Sequence, residues 1–255
     1  MRALYVAASG MTAQQTRIDT VADNLANANT TSFKRSRGAF QDVFYQELSQ
    51  GGKAPTAPRA DAGAGVRLAG LLKDHSQGSL QHTGDAMNIA LKGDGFFVVE
   101  DDHGNRAYTR DGALQTDSDG VLRVASGYRV GGDIVVPEDA VGIDISKDGT
   151  ISARIPDSDG ETSYTIGQIE IAQFVNASGL EPLGGNLYAA SMSSGDPMYT
   201  GQENVEVEQY HLEGSNVEAS EELIELILAQ RAYELNSKVI QAADETMQVA
   251  ANLRR

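Results

Sequence analysis

The C-terminal stretch 215–255 is the feature that most constrains how this chain can fold. It contains no Pro or Gly, and from residue 228 onward apolar or small residues recur in alternating steps of four and three. This spacing is the heptad seam of a coiled coil. The seam consists of Leu228, Ala232, Leu235, Val239, Ala242, Thr246, Val249 and Leu253. Ser215 and Glu218 have the spacing of a capping box, so we expect a helix of roughly 55–60 Å that begins there.

A second stretch with the same steps lies at the other end of the chain, in residues 3–27. Its seam consists of Leu4, Ala8, Met11, Gln15, Ile18, Ala22 and Leu25. Gly10 inside it costs about 1 kcal/mol relative to Ala, so this helix is weak alone. Either stripe alone is equally well explained as an ordinary amphipathic helix on a globular core. Two stripes, one at each end, favour a pair of terminal helices.

The middle of the chain, residues 72–200, reads as all-β. Residues 95–100 and 133–137 are short runs of strand-forming residues, and alternating apolar residues flank the turn Lys147-Asp148-Gly149. Turn signals every eight to twelve residues are typical of a sandwich or barrel-like domain. We therefore predict an α+β fold with a central all-β domain and N- and C-terminal helices that pair as a coiled coil. Residues 1–30 and 215–255 form the helical domain, and 72–200 form an outer β-rich domain.

Residues 31–71 and 201–214 connect these two domains. Residues 33–50 favour neither an extended nor a helical conformation decisively. Segment 46–65 is rich in Gly, Ala and Pro without periodicity, and its simplest interpretation is a flexible linker. The glycines and prolines that set its flexibility are Gly51, Gly52, Pro55, Pro58, Gly63 and Gly65. The prolines lower the entropy that such a segment loses when it docks, so a second interpretation is a wedge between subunits that locks a filament straight.

Charge and cysteine content exclude several classes of function. The formal net charge is −16, and there are no cysteines. Nucleic-acid binding needs a basic face, which this composition does not supply. The one basic cluster, Lys34-Arg35-Ser36-Arg37, is short and is best interpreted as a solvated turn. Disulfides, thiolate zinc sites and Cys nucleophiles are excluded.

The sequence contains no convincing catalytic, metal or cofactor motif. Stretches 117–120 and 157–160 resemble fragments of a calcium loop, but they lack its third acidic ligand before the Gly and its bidentate Glu, so we interpret them as hairpin turns. The Gly93-Asp94-Gly95 triplet precedes a strand, whereas a phosphate loop follows one. No pair among His75, His82, His103 and His211 has the spacing of a helical zinc site. We expect no catalytic residues, no metal, no cofactor and no small-molecule substrate.

Several long motifs carry a resemblance to a known family. The chain reads SGMTAQQTRIDTVADNLANANTTSFKRSRGAF at 9–40, NIALKGDGFFVV at 88–99 and YTRDGALQTDSDG at 108–120. It ends with NVEASEELIELILAQRAYELNSKVIQAADETM at 216–247. These motifs resemble the signatures of the flagellar rod and hook axial proteins. The resemblance covers both ends and much of the middle of the chain.

The resemblance implies a structural protein of the bacterial flagellar basal body. Members are exported by the flagellar type III system without cleavage of a signal peptide, and they polymerise helically into the rod that crosses the periplasm. Chain length and segment 46–65 favour a distal rod subunit over a proximal rod or hook-type subunit. The implied partners are further copies of the chain, proximal rod proteins, the hook protein and the surrounding periplasmic and outer-membrane rings. Alternatives from other classes are a periplasmic or extracellular β-domain binding module and an acidic β-fold hydrolase.

Overall fold

The computed structural model describes residues 2–43, 46–47, 61–157, 160–199 and 205–252. These residues form two long helices and a substantial set of β-sheets, so the α+β class is confirmed. The chain divides into two compact units. The terminal unit comprises Met1–Ala26, Ser36–Lys73 and Glu218–Arg255, and the central unit comprises Asn27–Arg35 and Asp74–Val217.

Both terminal helices are present. Helix α1 spans Arg2–Ala26, and helix α2 spans Ala219–Asn252. The predicted start of α2 was wrong, because the Ser215 hydroxyl accepts a hydrogen bond from the Val217 amide outside the helix. The first helical bond instead runs from the Glu222 amide to the Glu218 carbonyl, at 3.1 Å. Glu218 therefore occupies the N-cap position, where a residue's carbonyl accepts that first bond.

The described parts of residues 36–73 form an antiparallel hairpin in the terminal unit. Its main arms are β1 (Ser36–Asp42) and β4 (Val66–Lys73), and the pairing continues through β2 (Gln46–Glu47) and β3 (Asp61–Ala62). The Val43 amide donates to the Gly65 carbonyl at 2.9 Å between the two paired stretches. Within residues 33–50, the structure is thus extended at 36–42 and 46–47. The described ends of segment 46–65 lie side by side.

The central unit is built from strands, with one short 3₁₀ helix at Ala177–Gly179 in its described part. Its strands are β5 (Leu80–His82), β6 (Ile89–Lys92), β7 (Phe96–Glu100), β8 (Arg106–Thr109), β9 (Leu114–Thr116), β10 (Leu122–Val124), β11 (Arg129–Val130), β12 (Gly142–Ile145), β13 (Thr150–Asp157), β14 (Gly160–Gln168), β15 (Ile171–Ala172), β16 (Glu181–Gly184), β17 (Leu187–Ala189), β18 (Glu206–Gln209) and β19 (His211–Glu213).

These strands form one large sheet and three smaller ones. The large sheet has the order β16-β17-β8-β7-β11-β10-β9, with β15 also paired to β7. Strands β12-β13-β14 form a second sheet, and the pairs β18-β6 and β19-β5 complete the set. The core lies around β7, whose residues 96–99 are all buried. A continuous apolar run of this kind is typical of a strand covered on both faces.

The sequence predicted one hairpin correctly and one strand wrongly. Ile145 pairs with Ile151 and Ile143 with Ala153 across the turn at Asp148, and Gly149 has a φ of 74°, which suits glycine. The run 133–137 forms only an isolated bridge at Val135. Its apolar content reflects burial rather than pairing, since Ile134 is part of the hydrophobic core.

Candidate assembly surface

Helices α1 and α2 pack against each other in an antiparallel arrangement. Asn24 Nδ2 donates to Glu222 Oε2 at 3.2 Å near the end of α1 and the beginning of α2. Arg17 forms an ion pair with Glu225. A methyl group added at Gly10 would lie 3.1 Å from the Asn236 side-chain amide nitrogen. Positions earlier in α1 thus contact positions later in α2.

The contact face consists mainly of small and polar residues. On α1, Ala7, Val21 and Asn24 are buried, and on α2 the buried residues are Glu222 and Ala229. The Asn24 amide group also holds the first strand of the hairpin, because it donates to the Ser36 carbonyl at 3.0 Å and accepts from the Ser36 amide at 2.8 Å. Polar side chains are stable in this face because these groups are paired with one another.

Many large apolar residues of α2 lie outside that face and are exposed, whereas Leu226 and Ile240 are partly buried. Among the predicted seam residues, Leu228 is 53% exposed and Leu235 is 63% exposed. Val239, Ala242, Thr246 and Val249 are exposed as well, whereas Ala232 is partly buried. Leu253 lies outside the described residues. Ile224 and Ile227 extend the exposed apolar surface toward the helix N-terminus. We call this surface the α2 stripe, and its exposed members are Ile224, Ile227, Leu228, Leu235, Val239, Ala242, Thr246 and Val249.

The predicted seam of α1 is divided between partly buried and exposed positions. Its partly buried members are Leu4, Met11, Ile18 and Leu25, and its exposed members are Ala8, Gln15 and Ala22. Ala8 lines a groove between α1 and β4 with a volume of about 430 Å³. The other side chains around this groove are mostly small or apolar, and they include Tyr5, Ala13, Val66 and Leu68. Whether the seam residues contact other subunits stays a prediction.

The hairpin carries the segment that the sequence singled out between residues 46 and 65. Gly51, Gly52, Pro55 and Pro58 lie outside the described residues. Gly63 is described and exposed. Gly65 has a φ of 107°, a conformation that L side chains rarely adopt, and it lies against Ser9 of α1. The Ser9 hydroxyl also accepts a hydrogen bond from the Val66 amide at 3.3 Å, so this base of the hairpin is fixed to α1.

The basic cluster at residues 34–37 is not a simple solvated turn, because Lys34 is fully buried. Its ammonium group lies 2.6 Å from Glu213 Oε1, and both side chains are 0% exposed. Lys34 Nζ also donates to the Ser76 carbonyl at 2.7 Å, and Arg110 NH1 lies 3.5 Å from Glu213 Oε2. Burial lowers the pKa of Lys34 and of Arg110, and the Glu213 carboxylate opposes both shifts. Sequence reasoning missed this network because its members are distant along the chain.

The network fixes two chain segments to the central unit. Ser32 donates from its amide to the Glu213 carbonyl at 2.8 Å and from its hydroxyl to the Arg110 carbonyl at 2.8 Å. Asn216 accepts from the Arg35 amide at 2.7 Å. These are the segments that follow α1 and precede α2 in the sequence. The buried charges are therefore explained by structural anchoring.

The acidic turns are confirmed where the structure describes them fully. The Asp117 carboxylate accepts hydrogen bonds from the amides of Asp119 and Val121 and forms an ion pair with Arg123 at 2.8 Å. The hydrogen-bonded Arg123 side chain, followed by the two backbone amides, holds the pKa of Asp117 below its ordinary value. Within the described residues, no group of three or more His, Asp or Glu side chains is placed to bind a metal ion. Nor does either helix have an apolar span that could cross a membrane, as far as the chain is described.

Comparison with known proteins decides the family. Residues 4–34 match the family model described as flagella basal body rod protein, residues 90–153 match the flagellar hook protein FlgE/F/G D1 domain, and residues 208–253 match the flagellar basal body rod FlgEFG protein C-terminal domain. The chain is 42% identical to the flagellar basal-body rod protein FlgG of Agrobacterium fabrum over 260 residues, covering 98% of each chain.

Two further relatives extend the comparison across distant bacteria. The FlgG protein of Borreliella burgdorferi is 40% identical over 265 residues, covering 100% of this chain and 99% of the relative. The FlgG protein of Bacillus subtilis is 37% identical over 268 residues, covering 100% of both chains. The chain belongs to the FlgG family of flagellar basal-body rod proteins. The expected resemblance to rod and hook proteins is thereby confirmed, and the two family models at the ends of the chain contain most of α1 and α2.

Proposed function

We propose that this chain is a structural subunit of the bacterial flagellar distal rod. It polymerises helically into a rigid hollow shaft that transmits motor torque to the hook, and it is not an enzyme. The observation that carries the proposal is the α2 stripe. Such a contiguous line of exposed aliphatic side chains on a long helix is typical of a surface that another protein covers. Each Leu or Ile that is buried on assembly contributes about 1.5–3 kcal/mol.

We infer that α1 and α2 pair as a coiled coil inside each subunit. Ala7, Gln14 and Val21 of α1 are buried or partly buried at seven-residue intervals. Residues of α2 that are buried or partly buried repeat at the same interval, and they are Glu222, Ala229, Asn236 and Ala243. A seven-residue repeat along two contacting helices supports a coiled coil. The predicted seam has the same period, displaced by one residue on each helix.

Because of this displacement, helix α2 has two different contact faces. The small and polar face of α2 contacts α1 within the subunit, and the α2 stripe beside it contacts neighbouring copies. The groove between α1 and β4 offers a complementary concave surface of small and apolar residues, and we propose that it receives the α2 stripe of another copy. An interface between two different surfaces of identical subunits does not close on itself and generates an open helical filament.

Charge substitutions on the two faces test this assignment. Leu235→Asp places a charge in a desolvated interface and is expected to abolish filament formation, at a cost of several kcal/mol. Gln241→Asp adds the same charge at an exposed polar position of α2 and is the matched control. Ala8→Asp in the groove is expected to fail in assembly as well. Filament formation is observed by electron microscopy of concentrated protein. Normal filaments from Leu235→Asp would refute the proposed role of the α2 stripe.

We propose further that segment 46–65 locks the filament straight by wedging between adjacent subunits. The hairpin supports an experiment on this point, because β1 and β4 are paired up to Asp42 and Val66, outside the residues that the deletion removes. Deleting residues 46–63 is expected to permit polymerisation and to give curved or flexible filaments. A second variant replaces the same residues with an equally long Gly/Ser sequence. It distinguishes an effect of the segment's length from an effect of its amino-acid sequence. If the deletion filaments are as straight as those of the unaltered chain, the segment has no role in keeping the filament straight.

The remaining parts of the proposal follow from family membership. We infer export through the flagellar type III system, a position in the periplasm, and contacts with proximal rod proteins, the hook protein and the surrounding ring proteins. A proximal rod or hook-type subunit is the alternative within the same family. A periplasmic or extracellular β-domain binding module is the alternative from another class, and it predicts no rise in helicity with protein concentration, whereas rod assembly predicts one.

A further inference from the structure

The structure brings together two histidines that are distant in sequence, His82 and His211. His82 of β5 and His211 of β19 are directly opposite each other in an antiparallel pair, and their ring centroids are 5.0 Å apart. His82 is exposed and His211 is partly buried, so ions in solvent can reach the pair. We propose that His82 and His211 form a surface chelate for a divalent transition-metal ion.

The strand pairing places the two rings in the closer of the two antiparallel arrangements. The Thr83 amide donates to the Tyr210 carbonyl at 2.8 Å, and the Gly214 amide donates to the Ser79 carbonyl at 2.8 Å. Hydrogen-bonded and non-hydrogen-bonded pairs alternate along an antiparallel ladder, so the His82–His211 pair is of the non-hydrogen-bonded kind. In such pairs the Cα atoms are about 4.5 Å apart and the side chains are closest.

One hydrogen bond already orients His211 as a ligand. Its Nδ1 lies 2.8 Å from the backbone carbonyl oxygen of Gln209. A carbonyl oxygen only accepts, so Nδ1 carries the proton and Nε2 keeps its lone pair. A bond of this kind from the second ring nitrogen to a backbone carbonyl is how proteins commonly fix the tautomer and orientation of a metal-binding histidine.

The ligand set indicates the class of ion. Neutral imidazole is a suitable ligand for Zn²⁺, Ni²⁺ and Cu²⁺. A given nitrogen site binds divalent first-row ions with an affinity that increases along the series and is highest for Cu²⁺. Metal–nitrogen bonds of about 2.0–2.1 Å place both nitrogens on one ion when the rings turn toward each other. Water completes the coordination, since the described residues offer no third His, Asp or Glu at this point. The formal net charge of −16 favours any cation near the surface.

Binding at this pair would connect β5 to β19. Glu213, which belongs to the buried network, lies two residues beyond His211 on β19, and alternate residues of a strand share one face. A bound ion therefore holds the strand that carries Glu213 against β5. Because the ion binds the folded pair and not the separated strands, it raises the thermal midpoint of the central unit with rising metal concentration.

The experiment titrates the dilute, untagged full chain with CuCl₂, NiCl₂ and ZnCl₂ and measures affinity calorimetrically. His82→Gln and His211→Gln are each expected to weaken binding at least tenfold, because a chelate needs both rings. The double variant is expected to lose the remaining one-imidazole binding as well. His103→Gln removes another exposed histidine and is expected to leave affinity unchanged. Circular dichroism verifies that each variant is folded.

A spectroscopic signature gives an independent readout. Electron paramagnetic resonance of the 1:1 Cu²⁺ complex is expected to show two coordinating imidazole nitrogens, reduced to one in either single variant. Affinity that is unchanged in His82→Gln or His211→Gln would overturn the proposal. So would an equal loss in His103→Gln, or a Cu²⁺ spectrum with a single nitrogen in the unaltered chain.

Discussion

Phe97 of β7 and Leu235 of α2 are both large apolar side chains, yet Phe97 is 1% exposed and Leu235 is 63% exposed. The contrast extends to the units that contain them. The central unit buries an extensive cluster of Ile, Leu, Val and Phe side chains. The terminal unit buries mainly small and polar residues between its helices and leaves the α2 stripe uncovered.

This difference leads us to expect a central unit that is stable in the single chain and a terminal unit that neighbouring copies complete. The central unit buries many large apolar side chains in a core of its own, so we expect its stability to belong to the single chain. The proposed burial of the α2 stripe requires other molecules, so we expect the stability of the terminal unit to depend on concentration, as it does for subunits that fold together with their partners.

The largest expected effect concerns the buried network of the central unit. Glu213→Gln leaves Lys34 and Arg110 without their shared carboxylate, and removal of one partner from a buried ion pair costs about 3–5 kcal/mol. Urea denaturation of the dilute full chain, followed by near-UV circular dichroism, measures the loss. Glu206→Gln is the matched control, because Glu206 pairs with Lys147 at 3.6 Å on the exposed surface and such pairs contribute about 1 kcal/mol or less. Similar losses in the two variants would contradict the assigned role of Glu213.

The next effect compares two leucine truncations directly. Leu122 is 1% exposed in the core, so Leu122→Ala is expected to lower the free energy of unfolding by about 2–5 kcal/mol. Leu235→Ala in the dilute chain is expected to change it by less than about 0.5 kcal/mol, since the side chain is already in water. The order reverses for assembly, where only Leu235→Ala raises the concentration needed for filaments. A large loss of monomer stability in Leu235→Ala would mean that the α2 stripe is buried within the single chain.

The smallest effect is the pH dependence of one turn in the central unit. The Asp148 carboxylate accepts hydrogen bonds from the Thr150 amide at 3.1 Å and from the Thr150 hydroxyl at 2.9 Å, and these bonds hold the pKa of Asp148 below its ordinary value. A folded-state pKa below the unfolded value stabilises the protein fully above the unfolded pKa, about 3.9, and the stabilisation is lost as the pH falls toward the folded pKa.

Asp148→Asn should therefore lower the thermal midpoint slightly at pH 6 and make its fall below pH 4 less steep. Asp139→Asn removes one carboxylate from an exposed position of the same unit and controls for the change in net charge. Thermal melts between pH 2.5 and pH 6 supply the measurement. Parallel midpoint curves for the unaltered chain and Asp148→Asn would show that the turn's hydrogen bonds do not depend on the charge.

Local patterns in the sequence determined the helices and much of the central unit. Residues 3–27 and the heptads after residue 228 predicted α1 and α2, because helical spacing is visible within a few turns. The hairpin around Asp148 was predicted for a similar reason, since its strands are adjacent in the chain and its turn residues are diagnostic. The family was recognisable from the long motifs at both ends.

Tertiary structure decided which of those residues meet. The seven-residue period of the helices was visible in the sequence, but its phase in the contact between α1 and α2 depends on small and polar residues such as Gly10, Asn24 and Asn236, which an apolar pattern discounts. Burial of Lys34 beside Glu213 and the pairing of His82 with His211 depend on strand register between segments distant in sequence. Such contacts follow from the free energy of the whole folded chain, and no local spacing encodes them.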